Sequence, residues 1–194
     1  MKLKIGLLTL TLIFVGAVSG QETKPFSKEC SITSGYGYAN GVTSSKSGSS
    51  LFIQMSYQLS QQFSLATEFE NLIYKAPGYY PDLPISPNVQ NLFDDYFSLL
   101  IKYHLPFNAK LHASLATGWT FYTRQNEYYD FYRDATSQSI SYRITSFSDF
   151  GIPFLVETNY PLWKNLGAGI RVKYNLNPKQ GSTYSAGIGF SLKL

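Results

Sequence analysis

The sequence predicts an all-β fold: an eight-stranded antiparallel transmembrane β-barrel, an up-and-down meander that follows a cleaved signal peptide. Three observations predict it. Eight stretches alternate apolar and polar residues with a period of two, the mark of strands with two unlike faces. The connections between them are short and long by turns, as when tight turns close one rim and loops crown the other. The polar face is built from Gly, Ser and a few charges, whereas a soluble barrel would turn many Lys and Glu side chains to water.

The bulk composition agrees. A chain of 194 residues has room for one closed barrel, and Gly 15, Tyr 16 and Phe 14 against 14% charged residues is a strand-rich, aromatic-rich mixture. The formal charge of +4 includes Lys2 and Lys4 of the leader, which leaves about +2 for the remainder. No run of Lys or Arg forms a stripe that would track phosphates, so nucleic acid is not an expected partner.

Residues 1–20 read as a signal peptide. Lys2 and Lys4 make a basic start, Ile5 to Phe14 an apolar centre, and Val18-Ser19-Gly20 a cleavage site of small residues. The apolar run is shorter than the about 20 residues a spanning helix needs. Residues 21–29 follow as a polar leader, and residues 30–194 as the barrel. Cys30, the only cysteine, has no partner for an internal disulfide and reads as a small strand residue.

The pattern is clearest at residues 51–75. Leu51, Ile53, Met55, Tyr57 and Leu59 share one face and Gln54, Ser56, Gln58 and Ser60 the other, with Phe52 the exception. A minimal turn at Gln61-Gln62 restarts the alternation at Phe63, Leu65, Phe69 and Ile73, which makes an antiparallel hairpin of strands 2 and 3. Ahead of it, strand 1 is expected over Cys30–Asn40, with Ile32, Tyr36 and Tyr38 on one face, and 41–49 as a Gly/Ser loop. Behind it, the four prolines of residues 76–91 exclude regular structure.

Strand 4 is expected from Phe93 to Leu105, with Phe97, Leu99, Ile101 and Tyr103 opposed to Asp94, Ser98, Lys102 and His104. A turn at Pro106–Asn108 leads to strand 5, whose apolar face carries Leu111, Ala113, Leu115, Trp119 and Phe121. A long loop is expected over 124–148. Strand 6 spans Asp149–Tyr160, with a bulge or an early end at Pro153, which cannot donate to a ladder. Past a turn at Pro161–Asn165, strand 7 alternates Leu166, Ala168, Ile170, Val172, Tyr174 and Leu176 with Gly167, Gly169, Arg171, Lys173 and Asn175. Strand 8 does the same with Tyr184 to Leu194 against Ser185, Gly187, Gly189, Ser191 and Lys193.

Aromatics collect near the strand ends. Tyr57, Phe63, Tyr103, Phe107, Tyr160 and Trp163 lie towards the short turns, and Phe93, Trp119, Phe121 and Tyr174 towards the other rim. Two such belts are what the two interfaces of a bilayer select. With the apolar rows facing lipid, Glu68, Glu70, Lys102, Glu157, Arg171 and Lys173 face the bore. Eight strands enclose a space just wide enough for side chains, and an unpaired charge there is costly, so a salt-bridged plug is expected, with Glu157 and Arg171 nearly facing. A narrow ion or small-solute channel is the functional alternative.

At this point the chain resembles the small eight-stranded outer-membrane barrels, such as the membrane domain of outer membrane protein A and outer membrane proteins X and W. The resemblance covers the whole barrel region by pattern, and its sharpest piece is the terminal SAGIGFSLKL. It implies an assembly signal read by the barrel-assembly machinery, with Ser185, Gly187, Phe190 and Leu192 in its places, although this chain ends on Leu194 where such proteins end on an aromatic. It also implies a Gram-negative outer membrane, contact with its lipid and lipopolysaccharide, a monomer, periplasmic termini and extracellular long loops.

Two further constellations stand out. Counting from the Pro106–Asn108 turn sets His104 opposite His112 on the inward face. Two imidazoles are too few ligands for a structural zinc site, so neither metal nor cofactor is expected. His112-Ala113-Ser114 has the His-x-Ser spacing of lipid A deacylases, but it lies inward, near a short turn, without an acidic partner in line. The expected function is therefore a non-enzymatic, plugged barrel with a structural or surface-interaction role, with lipid A modification as the enzymatic alternative. Contact with an extracellular ligand is expected from Tyr79, Tyr80, Tyr128, Tyr129, Phe131, Tyr132 and Arg133 of the long loops, because Tyr and Arg favour contact surfaces.

Overall fold

The structure, a computed structural model, describes residues 29–41, 46–76, 90–106, 111–133, 138–179 and 181–194. Its eight strands are β1 (Cys30–Gly41), β2 (Lys46–Gln58), β3 (Phe63–Ala76), β4 (Gln90–His104), β5 (His112–Arg133), β6 (Gln138–Pro161), β7 (Leu166–Leu176) and β8 (Thr183–Lys193). Each pairs antiparallel with its neighbour in sequence, and β8 returns to β1, so the sheet closes as a meander barrel. Closure leaves no edge around the waist, which a hydrocarbon environment requires.

The alternation translates directly into inside and outside. Leu51, Ile53, Met55 and Tyr57 of β2, Ile170 and Val172 of β7, and Ile188, Phe190 and Leu192 of β8 are all exposed. Gln54, Glu68, Glu70, Asp94, Lys102, Arg171 and Lys173 are all buried. This is the inverse of a soluble protein, and it identifies lipid as the solvent of the outer face. Phe52, out of step in sequence, is buried in the bore. Of the belt aromatics, Tyr57, Tyr160, Trp163, Trp119, Phe121 and Tyr174 are exposed, Phe63 packs on Tyr103 at 5.3 Å and Phe121 on Phe150 at 5.4 Å. Phe107 lies outside the described residues.

Two of the three expected short turns form where expected, and the third, at Pro106–Asn108, lies largely outside the described residues. At Leu59–Gln62 the amides of Leu59 and Ser60 donate to the carbonyl of Phe63, and Ser60 Oγ accepts from the Phe63 amide at 3.0 Å. At Leu162–Asn165 the amides of Leu162 and Trp163 donate to the carbonyl of Leu166. Gly181 takes φ 78° in the β7–β8 connection, a conformation that favours glycine.

Three expectations are corrected. The segment 41–49 is not all loop: β2 begins at Lys46, because β1 and β3 both reach that height and pair with it (Gly41 with Lys46, Gly48 with Tyr74), which overrides the weak strand preference of Gly and Ser. The long loop 124–148 is instead a continuation of β5 and β6. Arg133 pairs with Gln138 in the same register as His112 with Asn159, and, among the described residues, 127–133 pair only with 138–144. Seven residues a side carry this ribbon about 23 Å beyond the last β4 pairing at about 3.3 Å per residue. On its other side β7 pairs with β6 only from Ile152 downward. Finally, Pro153 makes no bulge. The register is the same above and below it, and the β5 ladder merely lapses across Gly118-Trp119 and Ile152-Pro153.

A charge placed on the lipid face will report its depth. Ile188→Arg, midway along β8, is expected to destabilise the refolded barrel by about 2–4 kcal/mol in vesicles, and Tyr38→Arg, near the long-loop rim, by about 0–1 kcal/mol. Urea titration followed by tryptophan fluorescence measures both, and equal costs would contradict the lipid-facing assignment.

Candidate functional site: the polar bore

From the short-turn end, the barrel opens into a cavity of about 480 Å³. Its walls carry hydroxyl, amide and imidazole groups. Ser64 Oγ lies 2.6 Å from His104 Nε2, Ser114 donates to Glu157 at 3.3 Å, and Asn159 donates to Ser191 Oγ at 2.7 Å. At the mouth Lys193 pairs with Glu29 at 2.9 Å. Deeper, Lys102 forms an ion pair with Glu157 and donates to Gln54 at 2.9 Å, and Gln54 donates to Glu68 at 2.9 Å.

Phe52 forms part of the cavity roof. Its ring lies against the backbone of β1 and β8, where a Cβ on Gly35 would come within 2.5 Å of the ring and 2.1 Å of the Ile188 carbonyl. Only glycine allows that approach. The Arg171 guanidinium rests over the ring face, 3.8 Å from its centroid.

Above this roof is the charge cluster. Arg171 grips Glu68 through both terminal nitrogens at 2.7 and 3.0 Å, and Lys173 reaches Glu68 at 2.6 Å and Glu70 at 2.9 Å. Ser185 donates to Glu70 at 2.5 Å, while Lys173 also donates to Ser98, which donates in turn to Thr120. Towards the long-loop end the filling becomes aromatic. Leu72, Tyr74, Tyr96 and Tyr122 are wholly buried, Tyr96 stacks on Tyr122 at 5.6 Å, and Phe147 packs against the group. Arg124 chelates Asp94 there with two contacts of 2.7 Å. Tyr96 Oη is held by Asn177 at 2.9 Å and shares a hydrogen bond with Thr183 at 3.0 Å.

Along the bore, four carboxylates (Glu68, Glu70, Asp94, Glu157) therefore balance four cations (Lys102, Arg124, Arg171, Lys173), each paired. In a low-dielectric bore a paired and hydrogen-bonded charge is tolerable where a single one is not. All six charges expected from the sequence lie in this network. The partnership differs, however. Glu157 and Arg171 are register neighbours, yet Arg171 leans over Phe52 to Glu68, across the bore, and Glu157 takes Lys102. Asp94 stands on the expected inward face, whereas its partner Arg124 falls within the expected loop. Continuing the strand 5 alternation past Phe121 places Tyr122 and Arg124 inward, so the sequence does carry the signal.

The histidine pair is corrected. His104 is level with Ser114 and His112 with Asn159, so the two rings are not opposed; the count across the turn is out by two residues. No group of three or more metal-binding side chains occurs among the described residues. In the His-x-Ser pair, Ser114 is buried against Glu157 whereas His112 is exposed. Of the expected surface residues, Tyr79 and Tyr80 lie outside the described residues. The backbone of Tyr128, Tyr129, Phe131, Tyr132 and Arg133 is in β5, paired with Arg143, Tyr142, Ile140, Ser139 and Gln138. Of the terminal positions, Ser185 points inward to Glu70, Gly187 pairs with Gly37, and Phe190 and Leu192 are exposed to the lipid side.

A closed eight-stranded meander with an apolar exterior and a paired, polar interior is the fold of the small bacterial outer-membrane barrels. Among solved structures, the chain is similar to a major outer membrane protein from Thermus thermophilus, with TM-score 0.60, 13% identity, and 87% of this chain and 100% of that one covered. It is similar to Neisserial surface protein A, with TM-score 0.56, 15% identity and coverage of 86% and 97%. The attachment invasion locus protein of Yersinia pestis, in complex with the heparin analogue sucrose octasulfate, gives TM-score 0.55, 9% identity and coverage of 87% and 100%. No protein-family model matches the sequence, and neither does any curated protein.

The Asp94–Arg124 pair allows a clean test of the network. Asp94→Asn or Arg124→Met alone is expected to cost about 3–5 kcal/mol, and the double variant to recover most of that, because the charge left behind by each single change is then gone. Unfolding midpoints of the three variants measure it; additive losses would exclude a coupled pair.

Proposed function

We propose that this chain is a non-enzymatic outer-membrane protein with a sealed bore, which serves the cell envelope as a structural barrel and meets partners through its outer face. The single observation that carries the reading is the bore: every inward ion pair is closed on itself, and Tyr74, Tyr96, Tyr122 and Leu72 fill the space above. Such packing supports a bore without a continuous water path of porin kind. The similar solved barrels support the outer membrane as location. In this reading the termini and short turns lie in the periplasm, and the waist meets lipid and lipopolysaccharide. Ser185, Gly187, Phe190 and Leu192 are the positions through which the assembly machinery reads the last strand, and the barrel acts as a monomer.

The surface role rests on the β5–β6 ribbon, which extends beyond the neighbouring strands and carries RQNEYYDFYR. Tyr and Arg are among the residues that dominate binding hot spots, and the ribbon's backbone carries these positions beyond the last β4 pairing. A barrel of the same fold has been solved in complex with a heparin analogue, which supports ligand recognition by such a barrel. An acyl-transfer or hydrolytic role is disfavoured because Ser114 and His112 are not joined and Glu157 is committed to Lys102.

Two measurements check these points. In planar bilayers the purified protein is expected to give no steady steps of porin size, and a stable open pore would overturn the sealed bore. Replacing residues 127–144 by an Asn-Gly turn is expected to leave a folded, heat-modifiable barrel while abolishing binding of cells to host surfaces; unchanged lipid A mass spectra with and without the protein accompany a non-enzymatic role.

A further inference from the structure

The cavity at the short-turn end has a chemistry of its own. The geometry points to a binding cup for a small uncharged molecule rich in hydroxyl and amide groups, the chemistry of an N-acetylated sugar or a short glycan. The inference rests on the sealed bore, since a cup must have a floor. That floor is built: Phe52, seated on Gly35, is covered by Arg171, and Gln54 links Lys102 to Glu68. The volume of about 480 Å³ lies within the range of small-molecule sites.

Charge decides the class of ligand. The charged pairs that touch the cup, Lys102 with Glu157, Lys193 with Glu29 and Arg171 with Glu68, are each closed as ion pairs, so neither an anion nor a cation finds a free counter-charge in them. What remains are the imidazoles of His104 and His112 and a wall of uncharged groups, among them Ser31, Thr33, Gln58, Ser64, Ser114 and Asn159. Asn159 spends its amide nitrogen on Ser191 and leaves its buried Oδ1 without a partner among the described residues. A ligand with several hydroxyl and amide groups can exchange hydrogen bonds with such a wall, and an apolar one cannot.

The test is an NMR titration of the refolded full-length barrel in detergent with N,N′-diacetylchitobiose, with glucose 6-phosphate and spermidine as charged comparators. Saturable shifts confined to Gln58, Ser64, His104, Ser114 and Asn159, weaker or absent with the charged probes, are the expected result. Ser64→Val and Ser114→Ala, made separately so that one folding failure does not decide the matter, are each expected to weaken binding by about tenfold, the loss of one hydrogen bond. Absence of saturable shifts, stronger binding of either charged probe, or affinity unchanged by both variants overturns the cup. Conductance of the same preparation reads the seal independently, so an open bore and an empty cup are told apart.

Discussion

Hydrocarbon offers nothing to hydrogen-bond, and the rest of the structure follows from that constraint. Every backbone amide within the membrane must find a partner in the chain, so the meander closes β8 onto β1. Once the outer face is given to lipid, the charged side chains of the wall's middle are driven into the bore. The charges there have only one another, and the pairing of Glu68 with Arg171 and Lys173, of Asp94 with Arg124, and of Glu157 with Lys102 is the result.

The interior is graded along its axis. Hydroxyl and amide groups dominate at the short-turn mouth, ion pairs in the middle, and tyrosines with Leu72 towards the long-loop end. The grading links distant strands. Gly35 on β1 makes room for Phe52 of β2, Phe52 supports Arg171 of β7, and Arg171 holds Glu68 of β3. A side chain at Gly35 would thus disturb an ion pair that it never touches.

Most of this is legible in the sequence because the side-chain period of a strand is two, and the solvent on each side imposes its own residue class. Leu51 to Leu59, Leu166 to Leu176 and Tyr184 to Leu194 announce their faces without help from tertiary structure. Legibility fails where that contrast fades. Above Phe121 the outer side of the wall carries polar groups such as Thr123, bonded to Ser148 at 3.0 Å, and the alternation of residue class dissolves although the strand continues. Arg124 is hidden with it. The histidine register fails for another reason: a turn count must assume the turn's length, and an error of two residues preserves the face while moving the partner. Ion-pair choice is beyond reach, because Arg171 is long enough to cross the bore and packing on Phe52 decides its direction.

The unequal lengths of β6 and β7 have a consequence for how the molecule floats. Above Ile152, β6 presents to its β7 side a row of peptide groups that no described strand engages. Water can serve such groups and acyl chains cannot. The level of Ile152 and Leu176 is consequently a waterline, and the barrel cannot sink past it into the bilayer. The hydrogen-bonded Asn71 and Asp95 on the outer wall, 2.6 Å apart, hold the same line from the opposite side.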